Sequence, residues 1–300
     1  MSAVPTRARA TRPGPIGRFL DTASPEGLFV LSAVAQYVGA TIAVLLFDRV
    51  APQTVAWLRV LGATVALLAV SGAFWRGWTR AQLTAAAVFG IATATMNTCF
   101  YMAIDRTDLG KSVAIEFIGP IVVAAAMTRT ARNAAALVLA VAGVVTLGGV
   151  EVGDNAAGMA WLLAASACWA AYIVVGSRVA QQHRGMAGLG VGLAIGALAL
   201  TPFGAPGSGG VWTNPGLLGA CLLVGVFSNA IGYGIDQHVL RRIPVRRFSL
   251  LLALLPVTAV AIGWIALDQR PSGLDVVGIA LVLAGVALQE REELLVEVAA

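Results

Sequence analysis

The stretch SVAIEFIGPIVVAAAM (Ser112–Met127) decides the fold. It is apolar along its length except for Glu116, and a proline, Pro120, follows four residues later. A carboxylate inside a lipid-spanning helix costs on the order of 3 kcal/mol. Pro120 has no N–H, so the carbonyl of Glu116 loses its usual helical partner. An acidic side chain and a freed carbonyl at one level of a bent helix need a polar cavity or a protein partner. Two readings of Glu116 are open: a protonatable or ammonium-binding site, or a neutral, hydrogen-bonded group that locks helices together.

The rest of the chain makes lipid the solvent for that stretch. Hydrophobic residues make up 58% of the 300 and charged ones 12%, with a mean hydropathy of +0.84. Ordinary soluble domains carry roughly 25% charged residues. Apolar segments able to approach the ~20 residues of a spanning helix occur at Gly27–Phe47, Thr54–Phe74, Leu83–Ile104, Ser112–Met127, Ala134–Val150, Gly158–Val179, Gly188–Phe203, Leu217–Val239, Phe248–Leu267 and Val276–Leu288. The expected fold is therefore an all-α membrane protein of ten transmembrane helices. The basic stretch at the N-terminus, with Arg7, Arg9, Arg12 and Arg18, reads as a disordered tail rather than a cleavable signal.

Lysine and arginine set the orientation. With the N-terminus inside, cytoplasmic segments hold 15 of them, including Arg76, Arg80, Arg129, Arg132, Arg178, Arg184 and the cluster Arg241–Arg247. The outer side holds four, Arg49, Arg106, Lys111 and Arg270. Both termini are expected in the cytoplasm. The net charge of +5 follows from these retained arginines, and nucleic acid is not an expected partner.

A repeat runs through the chain. Gly90–Met127 shares its layout with Gly225–Trp264: a polar-speckled helix, a short charged connector, then an apolar helix broken by Pro120 or Pro256. The patches Gln36–Tyr37 and Trp169–Tyr172 open the two halves in a similar way. Five helices per copy require the second copy to enter the membrane from the opposite side. Residues 1–25 are then a basic tail, 26–150 and 151–288 two inverted five-helix repeats, and 289–300 an acidic tail. Inverted repeats with a substrate held between them near midplane characterise secondary transporters.

Several polar residues inside apolar segments are candidates for that site. Asn97 and Tyr101 are spaced i, i+4 on one helix, as are Asn229 and Tyr233 on another, so each pair shares a face. Gln36, Tyr37, Trp169, Tyr172, Asn97, Tyr101, Asn229, Tyr233 and Glu116 form the expected substrate-binding set. The alternative for the asparagine–tyrosine pairs is interhelical hydrogen bonding worth roughly 0.6 kcal/mol apiece. Arg59 starts at a depth similar to Glu116, so it either pairs with it for proton coupling or snorkels to the outer headgroups. Asp236 and His238, directly before Arg241 and Arg242, read as interface charges paired with those arginines, with a proton relay as the alternative. Gly188, Gly192 and Gly196 line one face for close helix contact, either inside the protein or at a homodimer seam. The thiols of Cys99, Cys168 and Cys221 lack metal-binding spacing and read as apolar filler. No cofactor or metal is expected. An intramembrane enzyme would need several acid, base or ligand groups at matched depth, and only Glu116 lies firmly within an apolar segment.

Three segments carry a resemblance to a known family: VAIEFIGPIVVA (Val113–Ala124), ASACWAAYIVVGSR (Ala165–Arg178) and NAIGYGIDQHVLRRIPVRRFS (Asn229–Ser249). Together with the repeat they resemble the drug/metabolite transporter superfamily, and within it the EamA-type threonine/homoserine exporters, over roughly Val30 to Leu288. The resemblance implies export of amino acids or similar small metabolites across the inner (plasma) membrane, driven by the proton gradient. It places the family's carboxylate on Glu116 and its helix 6 tryptophan on Trp169. One departure stands out: many members carry a glutamate directly before the second-half proline, where this chain has Leu255–Pro256. A drug, sugar or nucleotide-sugar carrier of the same fold is the alternative reading.

Overall fold

The computed structural model describes residues 15–71, 77–126, 130–148, 156–179, 185–244, 247–248, 251–252 and 254–288. Among them every regular element is helical. The helices are α1 (Pro15–Thr22), α2 (Pro25–Leu46), α3 (Pro52–Ser71), α4 (Arg80–Ile104), α5 (Leu109–Glu116), α6 (Ile118–Ala126), α7 (Ala131–Gly148), α8 (Ala156–Val179), α9 (Gly185–Gly204), α10 (Gly209–Trp212), α11 (Pro215–Gly225), a π-helical segment π1 (Val226–Tyr233), α12 (Gly234–Leu240), α13 (Leu254–Leu267) and α14 (Gly273–Leu288).

Local sequence explains where the long helices begin. Ser24 caps α2 by accepting from the Gly27 N–H, with Pro25 in the first turn. Thr79 and Gln82 form a reciprocal capping box at the start of α4. Asn214 caps α11 ahead of Pro215. Six helices are long and apolar enough to cross a membrane: α2, α3, α4, Ala156–Arg178 of α8, Met186–Gly204 of α9, and the continuous run Pro215–Leu240 through π1. Shorter helices lie within the other four apolar segments: α5 and α6, then α7, α13 and α14.

Within the stretch read as a disordered tail, Pro15–Thr22 is helical. The carbonyl of Leu20 accepts from Arg242 Nη1 at 2.8 Å, and that of Ala23 at 2.9 Å. Arg247 reaches Glu26 at 2.6 Å. The basic connector after α12 and the N-terminal stretch therefore meet at one end of the bundle. Arg7, Arg9, Arg12, Arg76, Arg129, Arg184, Arg246 and the acidic tail 289–300 lie outside the described residues.

The core forms by exchange between early and late helices. Helix α4 packs on α8 and α9, α3 on α9 and α11, α2 on π1 and α13, and α7 on α14. Glycines set how close they come. A Cβ at Gly90 would run into the backbone of Gly192, and one at Gly225 into the carbonyl of Arg59. Gly192 and Gly196 are spent on this contact with α4, which answers the choice between internal packing and a dimer seam for these two residues.

The two prolines act alike. Helix α5 stops at Glu116, a turn at Phe117 follows, and α6 resumes one residue later with Pro120 in its first turn. A turn at Leu252 likewise precedes α13, which holds Pro256 in its first turn. In each case the break falls in the turn before the proline, where its ring and missing N–H disrupt the ladder.

Candidate functional site

A cavity opens where α2, α3, α4, α5, α8, π1, α12 and α13 converge. Its walls are Gln36, Tyr37 and Ala40, then Arg59, then Met96, Asn97 and Phe100, then Val113 and Glu116 from the first half. The second half adds Trp169, Tyr172, Tyr233, Asp236 and Leu255. The space between these atoms is about 510 Å³, open solvent at its mouth included. Most of the wall is aromatic or aliphatic, with a few convergent polar groups, the usual make-up of a small-molecule site.

Arg59 is the only cation on this wall and is 4% exposed. Its Nε donates to Asn229 Oδ1 at 2.6 Å, and its guanidinium lies 4.8 Å from the centroid of the Tyr101 ring. Snorkelling to headgroups is therefore not what Arg59 does, because a charge-assisted hydrogen bond and a ring face hold it inside. Among the described ion pairs none joins it to Glu116. The two share the cavity instead of forming a closed pair.

Glu116 ends α5 directly before the Phe117 turn and is 6% exposed. Its carboxylate makes no hydrogen bond among the described groups and opens onto the cavity. A buried carboxylate in that state must meet a proton, a ligand or a nearby cation. The reading of Glu116 as a locked, hydrogen-bonded strut finds no bond to rest on.

Tyr101 and Asn229 do not line the cavity. They stand behind Arg59, one under its guanidinium and one on its Nε. Asn97 and Tyr233 do line it and are joined across the halves, the tyrosine hydroxyl donating to Asn97 Oδ1 at 3.4 Å. Tyr172 stacks on Phe89 at 5.1 Å and tilts against Tyr233 at 5.4 Å. Trp169 sits edge-on to Phe117 at 5.9 Å. These ring contacts set the shape of the second-half wall.

Asp236 corrects the sequence reading. Its side chain does not pair with Arg241 or Arg242; it is 3% exposed and faces inward. Ser32 Oγ lies 2.6 Å from Oδ1, and Gln36 Nε2 donates to Oδ2 at 3.4 Å. Gln36 Nε2 also donates to Ser32 Oγ at 2.9 Å. His238, two residues on, lies 3.4 Å from Asp21 and contacts the Leu20 carbonyl at 3.1 Å, so it meets the N-terminal helix and not the arginines. The sequence did carry a signal for Asp236: it continues the Asn229–Tyr233 stripe at i+7. Ser32 likewise stands one turn before Gln36.

No group of three or more histidine, cysteine, aspartate or glutamate side chains suited to a metal occurs among the described residues.

Known proteins are similar to this chain. Residues 156–289 match the EamA-like transporter family. The threonine/homoserine exporter RhtA of Salmonella typhimurium strain LT2 is 32% identical over 253 residues, covering 82% of this chain and 84% of its own. RhtA of Escherichia coli strain K12 is 31% identical over 265 residues, 85% of this chain and 88% of its own. One protein of known crystal structure superposes on 93% of this chain and all of its own, with a TM-score of 0.68 at 19% identity, a likeness of fold alone. Identity at this level extends over most of the polypeptide, and so the chain belongs to the EamA-like transporter family.

Proposed function

We propose that this protein is a secondary active transporter that exports small metabolites, above all amino acids such as threonine and homoserine, across the inner membrane. Two inverted five-helix repeats alternate access to the cavity, and protons drive the cycle through Glu116. The observation that carries the reading is the cavity wall: a buried guanidinium and two buried carboxylates, unpaired with one another, in an otherwise aromatic and aliphatic lining. A zwitterion needs both signs of charge. A purely apolar drug needs neither, and a neutral sugar calls for amides and hydroxyls.

The pairing of helices supports the two-repeat reading. Exchanging each helix for its counterpart five spans away turns the contact of α2 with π1 into that of α4 with α8. The contact of α3 with α11 likewise becomes that of α4 with α9. The meeting of the N-terminal stretch with Arg242 and Arg247 supports placing both on one, cytoplasmic, face. The names of the curated relatives support the substrate class.

A counterflow panel in proteoliposomes tests the proposal, with threonine, homoserine, a hexose and a nucleotide sugar as competitors. Exchange of the amino acids is expected, and exchange of the sugars alone would replace the reading with that of a sugar carrier. Glu116→Gln is expected to insert normally and to cut proton-driven efflux by about tenfold or more. Efflux at the wild-type rate would remove Glu116 from the coupling step.

A further inference from the structure

The cavity contains an anion that neither the Glu116 reading nor the family match assigns. We propose that Asp236, held by Ser32 and Gln36, receives the ammonium group of an α-amino acid whose carboxylate is taken by Arg59. The inference rests on the amino-acid export reading and names the two poles of its site.

Both poles are fastened to the same helix. Asn229, near the middle of π1, holds Arg59 by its Nε. Asp236 follows seven residues later on α12, on the same wall. At ~1.5 Å per residue Asn229 and Asp236 themselves stand at most about 10 Å apart along the axis. An α-amino acid spans about 3 Å from nitrogen to carboxylate oxygen, from bonds of ~1.5 Å each. Two charge-assisted hydrogen bonds of about 2.8 Å bring the total to roughly 8–9 Å. A compound with only one charge leaves a buried charge unanswered.

The valences agree as well. An ionised carboxylate offers about four acceptor positions. Ser32 and Gln36 take one on each oxygen, which fixes the group and leaves lone pairs for a further donor. An ammonium group carries three N–H donors. Arg59 has its Nε on Asn229 and one face on the Tyr101 ring, and a guanidinium still carries terminal N–H donors in the planar fork that suits a carboxylate. Glu116 has no such holders among the described groups, which fits a group that gains and loses a proton.

The test compares counterflow of threonine with that of 3-hydroxybutyrate, which keeps the carboxylate and hydroxyl but lacks the ammonium. Wild-type protein is expected to prefer threonine by about thirtyfold or more. Asp236→Asn is expected to bring the ratio close to one, and Asp236→Glu to restore part of it. An unchanged ratio in Asp236→Asn overturns the assignment. Where that variant exchanges neither compound, thermal unfolding in detergent decides: threonine is expected to stabilise wild type and not the variant, and equal stabilisation overturns the proposal. Where it does not accumulate, Ser32→Ala serves, with an expected loss of about fivefold in the ratio; no loss overturns it. Wild-type vesicles that exchange no amino acid at all defeat the export reading and this inference with it. Wild-type exchange with an intact preference in Asp236→Asn defeats the inference alone.

Discussion

Helix α4 and the compound helix α11–π1–α12 are counterparts in the proposed repeat, matched at Gly90 and Gly225, yet they use their polar residues differently. Helix α4 runs unbroken for 25 residues. Its polar side chains mostly bond back one turn: Thr93 to the Phe89 carbonyl at 2.7 Å, Asn97 to that of Thr93 at 2.7 Å and Thr98 to that of Ala94 at 3.0 Å. The second-half helix widens into eight π-helical residues. Its polar groups are spent on other helices: Ser228 on the Gln36 carbonyl, Asn229 on Arg59, Tyr233 on Asn97, Asp236 on Ser32. A π turn changes the angular step between residues, and such turns concentrate at functional sites. The lesson is that two stretches with one layout both line the cavity, one with its polar groups bonded within itself and the other with them spent on its neighbours.

The largest expected effect probes what the two helices share. Gly90→Leu and Gly225→Leu each drive a side chain into facing backbone, at Gly192 and Arg59 respectively. Both variants are expected to lose the monodisperse peak in size-exclusion chromatography, since overpacking of this kind costs on the order of 3 kcal/mol or more. Survival of one and not the other would break the equivalence at its closest contact.

A smaller effect should separate the asparagines. Asn229→Ala strips a buried guanidinium of its acceptor, at a cost of about 1.5–3 kcal/mol in unfolding free energy and with a matching fall in transport. Asn97→Ala removes a bond within its own helix and a long one to Tyr233, and about 1 kcal/mol is expected. Equal costs in a thermal unfolding series would contradict that difference in how the two helices use their polar groups.

The smallest effect concerns the link between the two. Tyr233→Phe deletes the 3.4 Å bond to Asn97 while keeping the ring that packs on Tyr172. About 0.6 kcal/mol of stability is expected to go, with substrate exchange close to wild type. A large transport defect in Tyr233→Phe would make that hydroxyl a ligand group rather than a tie.

Much of this was legible in the residues. The buried position of Glu116 and the break ahead of Pro120 follow from composition and proline chemistry, both of which act within a few residues. The i, i+4 stripes placed Asn97 and Tyr233 correctly on the wall. Asp236 was misread because its neighbours in sequence are arginines, while its neighbours in space are Ser32 and Gln36, some 200 positions away. Leu255 stands where many members of the resembled family carry a glutamate. The second half supplies its anion from α12 instead, on a helix whose π segment no periodicity announced.

The sequence by itself determined that lipid surrounds this chain, where its apolar segments lie, and that one acidic side chain sits beside a proline inside them. Those are properties of composition and of a 3.6-residue period. Only the tertiary structure decided that Arg59 answers to Asn229 and Tyr101, that Gly90 and Gly225 are points of backbone contact, and that Asp236 turns inward. Helix periodicity fixes which face a residue occupies. Which face it meets is settled by how closely distant helices pack, and here glycines and one π-helical segment set that approach.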